Sequence, residues 1–381
     1  MLNGLRLFMR ETAEMKRFLS PQNQQPRRLV FYSEHAAYGK FFNPVLEALL
    51  AQNPPAFSYL TSDPGDPVFD RDSAKICTFY IQSLLGGLLP QIDSRALVMT
   101  MPELGHYHIQ RSQKGTEHFY LFHALVSTHM IYRKGAFDHY DTLFCAGPHH
   151  VEEIRRTEQV YGLKPKKLIE AGYPLLDKIT ADYQLYAATK VKPSGAVPVV
   201  LMAPSWAPQN LMLSCLEPLT RSFIDAGMRV ILRPHPEFVK RFPKAVRHYQ
   251  GRKDFMGQVE WEICPRKENS LFEADVLVTD WSGIALEYVF GTGRPVLFVD
   301  TPRKVLNPEY EKLQMEPLEV QLRDQIGLRL SPADAPQAAQ KARLLFDRIQ
   351  DFQQEIRRWR DKSVFCAGRS AQVIAGVLTK S

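Results

Sequence analysis

No apolar run in this sequence approaches the roughly 20 residues that a membrane-spanning helix needs. Nor does a signal peptide with a cleavage site open it, so neither an integral membrane protein nor a secreted precursor is expected. Cysteine is scarce: five among 381 residues, at Cys77, Cys145, Cys215, Cys264 and Cys366, none in a CxxC pair. That excludes a zinc ribbon and a disulfide-stapled scaffold, and points to free thiols in a reducing, cytoplasmic setting. Internal repeats and low-complexity tracts are absent. With 45% hydrophobic and 23% charged residues, the chain is neither disordered, collagen-like nor a coiled coil. Acid is the lesser charge, with 41 Asp+Glu against 48 Lys+Arg and a net charge of +7. The excess suits an anionic partner: a nucleotide, a nucleic acid or a membrane surface.

What is present is a series of short apolar runs rich in β-branched and aromatic residues. Strands are predicted at 28–33, 57–62, 76–81, 96–101, 119–125, 142–147 and 167–172, with a helix over Asn43–Leu50 after the first. A second series follows at 197–206, 228–236, 259–265, 274–283 and 294–300. Such runs alternating with helical segments predict largely parallel, buried sheets. Between the series, the stretch from Tyr183 to Pro198 loses the pattern and reads as a linker. The expected architecture is α/β, with two Rossmann-like, doubly wound domains facing each other across a cleft: residues 1–185, a linker at 186–197, and residues 198–381. Leu345, Ile349, Phe352, Ile356 and Trp359 mark an apolar stripe on one long helix, and Ala371–Leu378 predicts a last short one. The first nineteen residues mix Leu5, Phe8 and Met9 with Arg6, Arg10, Lys16 and Arg17. That pattern fits a basic amphipathic helix lying on anionic lipid, or a helix covering an edge of the first domain.

Ligands of open α/β sheets bind outside the carboxyl ends of the strands. In the second half those ends carry Pro204-Ser205-Trp206, Arg233-Pro-His235-Pro, and Thr279-Asp280-Trp281-Ser282-Gly283 before a helix. A helix start offers unpaired amides to an anion, Gly283 allows close approach and Ser282 adds a hydroxyl. The plainer alternative is that Asp280 or Ser282 caps the helix. Two prolines stiffen the segment around Arg233 and His235, a pair suited to phosphate contact and proton donation. Glu287, one turn into the helix, could accept from ribose hydroxyls or be a surface charge. In the first half the candidates are His123 and His129 in FHALVSTH, and His35 beside Ser33 and Glu34. A histidine at a strand end facing the cleft could deprotonate an acceptor hydroxyl. His149-His150 reads as exposed, and no set of residues stands at metal-ligand spacing.

Taken together, VLVTDWSGIALEYVFGTGRPVLFVD, ILRPHP, APSW, GYPLLDKI, FHALVSTH and CAGRSAQVIAGVL resemble one family in order from about Ala96 onward. It is the CDP-glycerol glycerophosphotransferases of teichoic-acid and capsule synthesis, which have a GT-B fold. The resemblance implies that His123 stands at the family's base and that Arg233 and His235 lie at the donor diphosphate. It implies further that Thr279, Asp280, Ser282 and Gly283 bind phosphates, with Ser205 beside them, and that Glu287 takes the acidic position. Ala124 stands where the family has Gly, Trp281 and Gly283 replace Tyr and Ser, Glu287 replaces Asp, and Leu175 replaces Arg.

The function expected is therefore metal-independent and cofactor-free transfer. A polyol phosphate moves from a CDP-activated donor such as CDP-glycerol onto a polymer or lipid-linked acceptor. His123 is the base and His235 its partner, and the basic N-terminal segment is expected to hold the enzyme at the inner face of the cytoplasmic membrane. A glycosyltransferase or nucleotide-sugar epimerase of the same form is the first alternative. A non-catalytic nucleotide-binding subunit is the second. The basic clusters at 164–167, 240–247 and 357–360 are dispersed, without a nucleic-acid-binding motif.

Overall fold

Most of them buried on both faces, the apolar runs pair only in parallel, as strands do when helices cover each side of a sheet. The structure, a computed structural model, describes residues 2–107, 109–190, 195–252, 255, 257–263 and 269–380. In the first half β1 (Leu29–Ser33), β2 (Phe57–Thr61), β3 (Ile76–Tyr80), β4 (Ala96–Met99), β5 (Glu117–Leu121), β6 (Thr142–Cys145) and β7 (Lys167–Glu170) form one sheet. Its order is β3-β2-β1-β4-β5-β6-β7. In the second half β8 (Val199–Met202), β9 (Arg229–Leu232), β10 (Val259–Trp261), β11 (Val276–Thr279), β12 (Val296–Val299) and β13 (Gly327–Leu330) follow the order β10-β9-β8-β11-β12-β13. In each sheet the winding direction reverses beside the first strand, at β1/β4 and at β8/β11. Crevices open at the carboxyl ends there.

Strand β13 was not foreseen. Its four residues include exposed Arg329 on an edge, so no apolar run announces it. The run predicted at 119–125 stops at Leu121, which leaves Phe122–Leu125 as a loop at the mouth of the first sheet. The helix Pro174–Thr189 runs through the start of the expected linker. Of that linker, residues 191–194 lie outside the described residues, as does the end of the run at 259–265 with Cys264. The other four cysteines are free thiols.

Helix Pro174–Thr189 packs on helix Ile284–Thr292 of the other half. The approach depends on Gly291, where a Cβ would stand 2.4 Å from Ile179 Cγ2. The single helix expected around Leu345–Trp359 is broken at Arg348 (φ −111°, ψ 21°) into Ala338–Asp347 and Ile349–Ser363. Leu345 therefore joins the second half's core, while Ile356 packs between the halves. The last helix, Ser370–Lys380, returns to the first half, where Ile374, Ala375 and Leu378 share a core with Leu29, Phe31 and Phe57. Asp177 fastens the returning chain by accepting from the Gly368 and Ser370 amides, at 2.7 and 2.8 Å.

The first helix, Leu2–Leu19, is clamped along the β3 edge. Phe18 is fully buried against Phe79, and buried Glu11 accepts from the Gln82 and Leu84 amides. Its other face leaves Leu5, Phe8 and Met9 exposed. Among the described residues no helix is long and apolar enough to cross a membrane.

Candidate active site

The second half's strand ends meet around the β8/β11 switch point, and most of their polar atoms are turned inward. Asp280, buried, accepts from the amides of Ser205 (2.7 Å), Trp281 (2.7 Å) and Leu211 (3.0 Å), which pins the loop after β8 to the end of β11. Thr279 Oγ1 donates to the Ala203 carbonyl at 2.6 Å. Ser205 is buried beneath the same loop. Arg233, also buried, lies against Ser270 (3.5 Å) and Glu262 (3.9 Å). Glu287 accepts from Tyr173 of the first half at 2.8 Å, a tie between domains.

His235, Ser282 and Gly283 remain open. No side chain caps the helix Ile284–Thr292; the Ala285 and Leu286 amides turn back onto the Ser282 and Gly283 carbonyls, each at 3.2 Å, and among the described residues the Gly283 and Ile284 amides stay open. Gly283 lies opposite the first half's mouth loop, where an added Cβ would meet Val126 at 3.5 Å and Ala124 at 3.9 Å. A narrow recess opens here, lined by Val126, Trp281, Ser282, Glu319 and Arg323 among others.

The two histidines named first from the sequence carry their protons on opposite nitrogens. His123 Nδ1 lies 3.0 Å from the Thr100 carbonyl, which can only accept, and 3.1 Å from the Tyr120 hydroxyl, which can accept as well as donate; the carbonyl therefore sets the hydrogen on Nδ1, and the neutral ring offers a lone pair at Nε2. His235 Nδ1 instead accepts from the Glu237 amide at 3.1 Å, which leaves its proton on Nε2. Neither Nε2 has a hydrogen-bond partner among the described residues. Burial pushes His123 down to about 4, against the Thr100 carbonyl and with Lys304 and Lys40 adding to the fall. Burial likewise pushes His235 down to about 3, helped by Lys304, Lys40, Arg241 and His123. Both imidazoles are thus neutral near pH 7, and they sit in one electrostatic neighbourhood. Tyr38 and Phe41 pack edge-on to His123, each 5.9 Å between centroids, and hold the ring's orientation.

The other histidines do structural work. His129 pairs with buried Glu153 at 3.3 Å and reaches the Met315 carbonyl at 3.1 Å. His149 and His150, which read as exposed, are instead packed inward. Their Nε2 atoms hold the carbonyls of Leu125 (2.9 Å) and Val126 (3.1 Å), so they shape the loop that carries His123. Their sequence signal was misread because adjacent glutamates suggested a solvated helix face, whereas Pro148 starts the helix under that loop. His35 is exposed, 3.4 Å from Asp63. Among the described residues no three His, Cys, Asp or Glu converge as metal ligands.

Two residues, Lys40 and Lys304, escaped the sequence reading, and a third, Glu34, is named there only as a neighbour of His35. Glu34, after β1, is pushed up to about 7 by burial and by the facing Glu237 of the second half. Lys40 contributes a cation from the first half's rim. Lys304 stands five residues past β12, over the Trp206 ring at 4.4 Å. On a loop beyond the strand end, it is marked by no local pattern.

Compared with known proteins, residues 108–304, just over half the chain, match a family model described as CDP-glycerol:poly(glycerophosphate) glycerophosphotransferase. No curated protein matches by sequence. Among solved structures, the wall teichoic acid polymerase TagF superposes with a TM-score of 0.61 at 15% identity, covering 100% of this chain and 98% of that one. The UDP-GlcNAc 2-epimerase of Methanocaldococcus jannaschii follows at 0.60 and 13%, covering 93% and 100%. A glycosyltransferase of Rickettsia africae gives 0.53 and 10%, covering 92% and 98%. Likenesses this distant speak for the shared two-domain GT-B fold.

Proposed function

The chain belongs to the CDP-glycerol:poly(glycerophosphate) glycerophosphotransferase family, and from that premise we propose how its cleft performs the transfer. The donor is a CDP-activated polyol phosphate, CDP-glycerol first, and the acceptor is a hydroxyl of an envelope polymer or a lipid-linked primer. The observation that supports this reading is the opposite protonation of the two cleft histidines. As the acceptor oxygen attacks the donor's second phosphorus, its proton passes to His123 Nε2. The bond to the bridging oxygen breaks, and CMP leaves with the electron pair. His235 donates from Nε2–H to the phosphate oxygens, and the open amides after Ser282 add further donors where negative charge gathers. Ser205, Thr279 and Asp280 fix the loops that frame the donor. Arg233 and Glu287 support it from behind.

The test is to follow CMP release from CDP-glycerol, CDP-ribitol and UDP-sugars, with and without glycerophosphate-primed lipid. Acceptor-dependent CMP release is expected with a CDP-polyol. A glycosidic product from a UDP-sugar, with no CMP from either CDP-polyol, would overturn the reading.

The acceptor reading extends to the first helix. Its inner face is occupied by Phe18 and Glu11, whereas Leu5, Phe8 and Met9 point outward beside exposed Arg6. That face is proposed to rest on anionic lipid at the inner side of the cytoplasmic membrane. Changing Leu5, Phe8 and Met9 together to Glu is expected to abolish co-sedimentation with anionic vesicles. Deleting residues 1–20 is the poorer test, because it would also uncover the β3 edge.

A further inference from the structure

We propose that Lys304, on the loop after β12, is the cation that receives the second phosphate of the donor. The inference rests on the reading of the cleft as a CDP-polyol site and adds to it a residue that no motif marks. Three guanidinium groups near the cleft are already engaged. Arg233 lies against Ser270 and Glu262, Arg241 Nε is 3.0 Å from Glu237, and Arg323 is 2.8 Å from Asp300. Lys304 has no carboxylate within ion-pair distance and no hydrogen-bond partner among the described residues. Lys40 and Arg303 are unpaired as well, but both stand exposed at the rim, whereas Lys304 is half-buried.

Its placement is built. The ammonium lies 4.4 Å from the Trp206 ring centroid, and Arg241 lies over the same ring at 4.5 Å. The Trp206 loop is in turn held by Asp280 through the Ser205 amide. The ring's π face holds the long lysine stem without neutralising its charge. From there the charge is felt at every part of the site. It lowers both His123 and His235, and Asp280 and Glu319 act back upon it. Burial, the largest influence, brings the Lys304 amine down to about 8, against the pull of Asp280 and Glu319 and with Arg241 opposing its charge. An unpaired, partly desolvated ammonium beside both histidines matches the doubly charged group that reacts there. Lys304 makes no covalent bond and moves no proton; it binds and orients.

Calorimetric titration of the full chain with CDP and with CMP, at pH 7 and pH 9, tests this. Lys304→Met is expected to weaken CDP binding about 10- to 100-fold while CMP binding stays nearly constant. Lys304→Arg should keep CDP affinity and lose the weakening that wild type shows between pH 7 and pH 9, because a guanidinium does not titrate there. Since a purely structural role would lower both ligands together, equal loss for CDP and CMP, or no loss, would overturn the assignment while wild-type binding upheld the cleft. A wild-type chain that binds neither nucleotide would overturn the cleft's reading and the lysine's role with it.

Discussion

After β5 the chain leaves an imidazole with one nitrogen open. After β11 it leaves a carboxylate with both oxygens filled. His123 holds the Thr100 carbonyl, with the Tyr120 hydroxyl beside it, and keeps a lone pair for the cleft, whereas Asp280 accepts from three amides with its two oxygens. Motif residues at equivalent ends of two similar sheets thus serve different purposes. The first half orients one imidazole with an open nitrogen by aromatic packing. The second spends its polar side chains on framing loops and presents backbone amides, His235 and a lysine instead. A polar residue at a strand end is chemistry only if its hydrogen-bonding capacity is unspent.

The comparison can be broken at its strongest point first. His123→Ala is expected to lower kcat by about 10²- to 10⁴-fold, the usual contribution of a positioned base, with CDP affinity unchanged by calorimetry. Because the base must be neutral and its pKa is about 4, wild-type kcat should stay level from pH 8 to pH 5 and fall only as pH approaches 4. Full turnover in the variant would take the chemistry out of the first half. Next in size, Asp280→Ala strips the partner from three amides and should destabilise the chain by about 3 kcal/mol or more, read by urea unfolding. Stability within error of wild type would show that the carboxylate was not framing these loops.

The smallest expected effect lies where the halves face each other. The folded-state pKa of Glu34 is raised to about 7, so keeping it uncharged favours the folded state at low pH. That contribution is fully present below the unfolded carboxyl value and is lost as pH rises from about 4.5 through 7. Glu34→Gln should therefore stabilise the protein at pH 8 and much less at pH 5, as followed by thermal melts. An equal effect at both pH values would remove the repulsion with Glu237.

Twelve strands and both sheets were legible because parallel strands, most of them buried, write themselves as apolar runs; of the edges, Lys167–Glu170 is still announced by Leu168-Ile169. The edge strand at Gly327–Leu330 was not, since exposure admits Arg329. At the site, sequence located the loops carrying His123, His235 and Gly283, for strand ends and a helix start are local features. It could not tell open groups from committed ones. Whether Arg233 faces a ligand or Ser270 depends on side chains 37 residues apart in the chain, and the inward turn of His149 and His150 depends on carbonyls 24 residues upstream. Lys304 is not marked by any local pattern, because it lies five residues past β12 on a loop, beyond the strand end itself.

The return of helix Ser370–Lys380 to the first sheet bears on how the protein is made. Leu29, Phe31 and Phe57 are synthesised early, but the apolar cover supplied by Ile374, Ala375 and Leu378 arrives some 200 residues after β7, a wait of roughly 10 to 40 s at ordinary translation speeds. All six strands of the second half leave the ribosome within that interval. The half synthesised second is then free to finish folding first, and the nascent first sheet is the part a chaperone would need to shield.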